Sequence, residues 1–213
     1  MNQKRVAIID YGMGNLRSVA NAFAALNYPA VIIKKPEELY QASHIILPGV
    51  GAFGDGMQNL MSAGWIKVLE EEVIEKGKPF LGICLGMQLL ATAGTEHGFY
   101  KGLNWIPGTV NRLDSNDLSI RVPHIGWNDV RFSKKDCLYS GLGDSQVFYF
   151  VHSYVFQPED ISAISGVAYH GVEFVSSIEM GNIYATQFHP EKSQKMGMEV
   201  LKNFIKLTIK SDA

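Results

Sequence analysis

The stretch Pro79-Phe80-Leu81-Gly82-Ile83-Cys84-Leu85-Gly86-Met87-Gln88 constrains the fold more than any other part of the chain. An apolar run of strand character leads through one cysteine directly into a helical pattern, with Gly82 and Gly86 placed symmetrically about Cys84. A side chain held on so sharp a strand-to-helix turn needs small neighbours, because the tight backbone leaves no room for nearby Cβ atoms. The free N–H groups at the start of the following helix favour a thiolate. A lone cysteine in an apolar run more often packs as a small hydrophobe, so this stretch alone leaves two readings open: core residue or nucleophile.

The chain before this turn repeats one pattern. Arg5–Asp10 is an apolar run ending in an acid, Tyr11–Asn15 a glycine-rich turn, and Leu16–Leu26 a helix with Leu16, Val19, Ala20, Phe23 and Leu26 on one face. Ala30–Ile33 reads as a second strand, Pro36–Ala42 as a short helix and His44–Leu47 as a third strand closed by Pro48. After the loop 49–56, helical patterns run to Gly64 and from Trp65 to Lys76, and the helix after Cys84 is expected to reach about Ala93. Alternating strands and helices with short links predict a parallel sheet covered on both faces. Ligands bind such sheets at the carboxyl ends of the strands, so the loops 11–15, 48–56 and 82–86 should be neighbours.

Beyond about residue 100 the segments become short, aromatic and β-branched. They are 109–113, 127–132, 146–151, 164–169, 172–178 and 183–188, separated by Gly, Pro, Asn and Asp turns, and they predict mostly antiparallel strands. A last helix is expected over about 195–210, and 114–121 as a mobile surface loop. The expected architecture is an α/β fold with a mostly parallel central sheet and an added antiparallel region in the C-terminal half, one domain over 1–213.

Composition narrows the function. At 46% hydrophobic and 19% charged residues the chain is globular, and a net charge of -2 gives no basic footprint for nucleic acid. No apolar run approaches a membrane span, and Met1–Arg5 leads into the first strand without an h-region or cleavage site. Two cysteines, Cys84 and Cys137, cannot make a disulfide framework, which suits a reducing cytoplasm. No metal-ligand spacing is present. Gly49-Val50-Gly51-Ala52-Phe53-Gly54 matches a dinucleotide fingerprint, but it follows the third strand, and the acids Glu70 to Glu72 fall within a helix.

A cysteine nucleophile needs a base. Among six histidines His189 stands out, at a strand end with Pro190 fixing the backbone and Glu191 two residues on to orient an imidazole. His124 and His152 lie beside strands and compete for the role. Oxyanion donors are offered by the N–H of Leu85 and by Gly49, Val50 and Gly51, if that loop meets Cys84.

The residues Gly82–Gln88 together with Gln187–Ser193 resemble the class I (triad) glutamine amidotransferases, whose domain is flavodoxin-like. Asp10–Ser18, Pro123–Asn128 and Phe148–Tyr154 are similar to the glutaminase subunits of imidazole glycerol phosphate synthase in histidine biosynthesis. The resemblance implies a Cys84–His189–Glu191 triad that hydrolyses L-glutamine without a cofactor or metal. It further implies an oxyanion strand at Pro48–Gly51 whose Val50 amide turns into place when the partner is liganded. Gln88, Glu96, Ser153 and Tyr154 would bind glutamine, Glu96 through its α-amino group. The implied partner is a (β/α)8 cyclase subunit that receives the ammonia as one half of a heterodimer, with Asn15, Trp127, Tyr149 and Lys192 at or near the interface. The alternative is a paralogous glutaminase that feeds another acceptor, such as a sugar amidated for surface polysaccharide.

Overall fold

Strand β1 (Val6–Ile9) is buried throughout, with Val6 and Ile8 in one core and Ala7 and Ile9 in the other. Side chains alternate along a strand, so an unbroken apolar run must be covered on both faces. The computed structural model describes residues 5–28, 30–114 and 120–208 and shows how that is done. Helix α1 (Leu16–Ala25) follows β1, and β2 (Ala30–Ile33) and β3 (His44–Gly49) lie parallel to β1 on either side. A 3₁₀ turn over Pro36–Gln41 stands where a short helix was expected. Helix α2 (Phe53–Ser62) ends at Gly64, whose φ of 75° is the left-handed conformation that stops a helix. Helix α3 (Trp65–Leu69) then continues as a wider π-helical turn over Glu70–Glu75.

Strand β4 (Phe80–Cys84) pairs in parallel with β3, placing Gly49 opposite Cys84. Helix α4 (Leu85–Gln88) is a single turn, not the helix to Ala93 that the sequence pattern suggests. The loop 102–105 takes over the carbonyls that the helix would have used. Leu103 N–H donates to Leu89, Trp105 N–H to Leu90, Asn104 N–H to Ala91 and Gly102 N–H to Thr92, all at 2.9–3.0 Å.

The two-residue strands β5 (Ala93–Gly94) and β6 (Tyr100–Lys101) join β7 (Gly108–Arg112). The others are β8 (His124–Phe132), β9 (Ser145–His152), β10 (Tyr154–Pro158), β11 (Ile164–Tyr169), β12 (Glu173–Met180) and β13 (Ile183–Thr186). Nine strands form one sheet in the order β2-β1-β3-β4-β13-β12-β11-β8-β9, and β10-β7-β5-β6 form a second. The first five strands are parallel, and from β13 outward every pairing is antiparallel. The antiparallel half is therefore mostly an extension of the parallel sheet. β8 begins at His124, earlier than expected, because it pairs residue for residue with β9 back to His152.

Helix α5 (Gln194–Lys206) shares one face of the sheet with α1, through Val200, Leu201 and Phe204 beside Val19 and Phe23. On the other face Leu60, Trp65, Leu69 and Val73 pack against Ala7, Ile9 and Ile45. Each such side chain, fully buried, contributes roughly 1.5–3 kcal/mol. The surface loop expected over 114–121 falls largely outside the described residues, as do residues 1–4 and the last two of the expected final helix, 209 and 210. No helix among the described residues is long and apolar enough to cross a membrane.

Candidate active site

Cys84 sits at the junction of β4 and α4 with φ 54° and ψ −107°. A non-glycine residue is held there only at a cost of about 1–3 kcal/mol, which the surroundings must supply. They do so by close backbone packing. A Cβ on Gly82 would lie 2.6 Å from the carbonyl oxygen of Gly86, and one on Gly86 would lie 1.8 Å from that of Leu47. The two glycines flanking Cys84 thus let strand, turn and neighbouring strand touch through backbone alone.

β13 lies beside β4 on the side away from β3, with Thr186 opposite Ile83. The strand stops at Thr186, and the chain bends through Gln187 and Phe188 to His189. His189 is anchored at both backbone groups. Its N–H donates to the Tyr149 carbonyl at 2.9 Å, and its carbonyl accepts from Ser193 Oγ at 2.6 Å. Nδ1 lies 2.8 Å from Glu191 Oε1, and both side chains are almost wholly buried. A carboxylate can only accept, so Nδ1 carries the proton and Nε2 is left for Cys84.

Nε2 is buried without a fully formed hydrogen bond, a looseness common before substrate arrives. Burial pushes the imidazole pKa down, but hydrogen bonding and charge from Cys84 and Glu191 outweigh it and raise the value to about 9. Positive charge on His189 is thus favoured at neutral pH, beside the sulfur.

The competing histidines are otherwise engaged. His152 Nδ1 meets the Tyr154 carbonyl at 3.0 Å, so it must donate, and Nε2 must then accept from His124 Nδ1 at 3.0 Å. His124 Nε2 faces Asn128 Nδ2 at 3.3 Å, and its ring stacks on His170 at 4.1 Å. Burial, with His170 nearby, lowers the His124 pKa to about 4, and burial, with His124 nearby, lowers that of His152 to about 3. These imidazoles are neutral packing groups with no nitrogen free for Cys84. Among the described residues no cluster of three His, Cys, Asp or Glu could hold a metal ion.

A cavity of about 400 Å³ opens over Cys84. Val50, Gly51, Leu85, Gln88, Glu96, Ser153 and Tyr154, all expected at the site, line it. Gly49 does not; it is buried behind the wall, where an added Cβ would meet the Tyr11 hydroxyl at 2.3 Å and Leu85 Cβ at 2.9 Å. Gly14 approaches Pro48 and Gly49 in turn, so the three loops expected to meet do meet. Glu96 Oε2 accepts from the Phe53 N–H at 3.0 Å, holding a carboxylate at the start of α2. That acid occupies the helix terminus a nucleotide phosphate would need, which disposes of the dinucleotide fingerprint. The wall also includes Ala52 and His97, and Pro123, Val151 and His152 from the two stretches 123–128 and 148–154.

Gln187 is a further residue that sequence reasoning missed. It is completely buried, and its Nε2 lies 3.6 Å from Cys84 Sγ. The available signal was spacing: residues i and i+2 of an extended chain share a face, and Gln187 precedes His189 by two.

On the outer end of the sheet, Trp127 stands opposite Tyr149 with rings 5.9 Å apart, and Lys192 Nζ lies 5.8 Å from the Tyr149 ring. Trp127 is 48% exposed and Tyr149 half-buried, so neither is a core aromatic. Asn15 caps α1 by accepting from the Ser18 N–H at 3.3 Å.

Comparison with known proteins agrees with this geometry. Residues 7–207 match the family described as glutamine amidotransferase class-I. The chain is 49% identical over 199 residues to the imidazole glycerol phosphate synthase subunit HisH of Moorella thermoacetica, covering 93% of each chain. It is 47% identical over 204 residues to the protein of the same name in Geobacter sulfurreducens, covering 94% of this chain and 97% of that one. A crystal structure of a glutamine amidotransferase from Thermotoga maritima shares the fold, with a TM-score of 0.63 at 20% identity over 97% of this chain and 82% of that one.

Proposed function

Because the chain belongs to the class I glutamine amidotransferases, we propose that it works through Cys84, His189 and Glu191 as a single domain over residues 1–213. It hydrolyses L-glutamine to glutamate and ammonia, and the ammonia serves imidazole glycerol phosphate synthesis in histidine biosynthesis. The observation that carries this reading is the proton-bearing His189 held between Glu191 and Cys84 beneath the cavity.

The chemistry follows from that placement. His189 takes the thiol proton, and the Cys84 thiolate attacks the side-chain amide carbon of glutamine. The carbonyl becomes an oxyanion, stabilised by the N–H groups of Val50, Gly51 and Leu85 at the cavity wall. Collapse expels ammonia with the proton returned by His189, leaving a thioester. Water, deprotonated by His189, hydrolyses the thioester to glutamate and restores the thiol. Glu96 receives the substrate α-amino group, while Gln88, Ser153 and Tyr154 hold the remainder.

The ammonia acceptor is a (β/α)8 cyclase subunit that docks on the face bearing Trp127, Tyr149 and Lys192, with Asn15 nearby, to form a heterodimer in the cytoplasm. Exposed Trp127 against half-buried Tyr149, with the Lys192 cation over the Tyr149 ring, supports that surface. The test is glutamine hydrolysis with the chain alone, with the cyclase, and with the cyclase plus its nucleotide ligand. Strong activation in the last case is expected, and Cys84→Ala should abolish turnover. Equal rates in all three would overturn the gating, and activity in Cys84→Ala would overturn the mechanism.

A further inference from the structure

Gln187 has no side-chain atom exposed to solvent, yet it carries two hydrogen-bonding ends. Which end meets the sulfur can be worked out from one backbone group. The Tyr154 carbonyl can only accept, so the side-chain atom of Gln88 lying 3.0 Å from it must be the amide nitrogen. That same nitrogen lies 3.0 Å from a side-chain atom of Gln187, which must therefore be the carbonyl oxygen. The other end of Gln187, its NH₂, is thereby fixed toward Cys84 Sγ at 3.6 Å. The Gln187 backbone N–H donates to the Ser176 carbonyl at 2.8 Å, which holds the residue at the bend after β13.

We propose that Gln187 is a further catalytic residue, a buried N–H donor to the Cys84 thiolate, and that Gln88 is the positioning residue that sets its amide the right way round. This deepens the amidotransferase reading and rests on it. A thiol gains little from such a donor, whereas an anionic sulfur on a buried residue at the foot of the cavity gains a charge-assisted bond. The donor approaches the sulfur from β13, while His189 reaches it from beyond the bend. The sulfur thus has the Gln187 donor at 3.6 Å and the Val151 carbonyl at 3.9 Å, with the His189 imidazole following two residues after Gln187 on the same segment. The relay also ties the sulfur to the cavity rim, since Tyr154 lines the cavity and accepts from Gln88.

The experiment is the rate of Cys84 alkylation by iodoacetamide in the full chain, measured at pH 7 and pH 10, for wild type, Gln187→Met and Gln187→Glu. Methionine keeps the volume and removes the donor. Glutamate keeps the shape and the acceptor for Gln88 but places an oxygen against the sulfur. Loss of one hydrogen bond to a charged group predicts about a tenfold slower alkylation at pH 7 in Gln187→Met, and a larger loss in Gln187→Glu. At pH 10, where base forms the thiolate without help, Gln187→Met should react like wild type. Should either variant fail to give a cooperative melt, the other carries the test alone. Unchanged rates at pH 7 in a folded variant, or equal slowing at both pH values in Gln187→Met, would overturn the role of Gln187. Wild type that is not alkylated at Cys84 at either pH would instead overturn the amidotransferase reading.

Discussion

Substituting Gly86 by alanine puts the elbow under direct test. The new Cβ would lie 1.8 Å from the Leu47 carbonyl oxygen and 2.9 Å from its carbon, where ordinary contact begins at 3.4 Å. Both obstacles are backbone, so no side chain can swing aside, and β3 and the turn must separate by roughly 1.5 Å. Overpacking of this kind costs about 1–3 kcal/mol, and with backbone against backbone the upper value applies. For a chain of this size that is a melting temperature lower by roughly 6–12 °C.

Activity should suffer more than stability. β3 ends at Gly49, paired with Cys84, and runs straight into Val50 and Gly51 at the cavity wall. Displacing those donors by about 1 Å from the oxyanion position is expected to lower kcat/KM about a hundredfold. Gly54→Ala is the control. Its Cβ meets the Tyr100 ring at 2.8 Å, but Tyr100 is 40% exposed and free to move, so both readouts should stay near wild type. Thermal denaturation and glutamine hydrolysis measure the two effects. A Gly86→Ala protein that melts within 2 °C of wild type (about 1 kcal/mol or less) and keeps full activity would refute the reasoning.

Two further outcomes concern protonation. The His189 pKa is raised from 6.5 to about 9, so the proton it returns to ammonia is lost as pH rises through about 9, and kcat/KM should fall there. Its contribution to folding runs the same way, full below 6.5 and gone above about 9, and Glu191→Gln should move the activity limb to lower pH. His124 and His152 run oppositely, with values lowered from 6.5 to about 4 and about 3. Between those values and 6.5 the unfolded chain binds more protons, so the melting temperature should drop on acidification from pH 6.5 toward 4. His124→Phe, which keeps a ring beside Phe150, should flatten that slope; an unchanged slope would show that acid sensitivity lies elsewhere.

Local sequence determined the elements whose causes are local. The run Val6–Ile9 had to be a strand covered on both faces, Gly64 had to stop a helix, and Gly82 and Gly86 had to mark a backbone contact around Cys84. The pairing of His189 with Glu191 was legible too, because two residues of chain separate them. The length of α4 was not legible. The pattern after Cys84 favours more helix, and only the loop 102–105, brought in from elsewhere, takes its carbonyls away. Sequence favoured His189 over His152 through Pro190 and Glu191, but it could not show what engages His152. The structure does: β8 pairs with β9, and His124 and Tyr154 occupy both nitrogens of His152. The register of β13 on β4 likewise decided that Gln187 meets the sulfur about a hundred residues earlier in the chain. Periodicity and turn chemistry act over a few residues and are written in the chain, whereas strand order and register arise from packing between distant segments. Cys84 on its turn and the neighbouring His189 and Glu191 belong to the first kind, and the engagement of His152, the Gln187 contact and the shape of the cavity belong to the second.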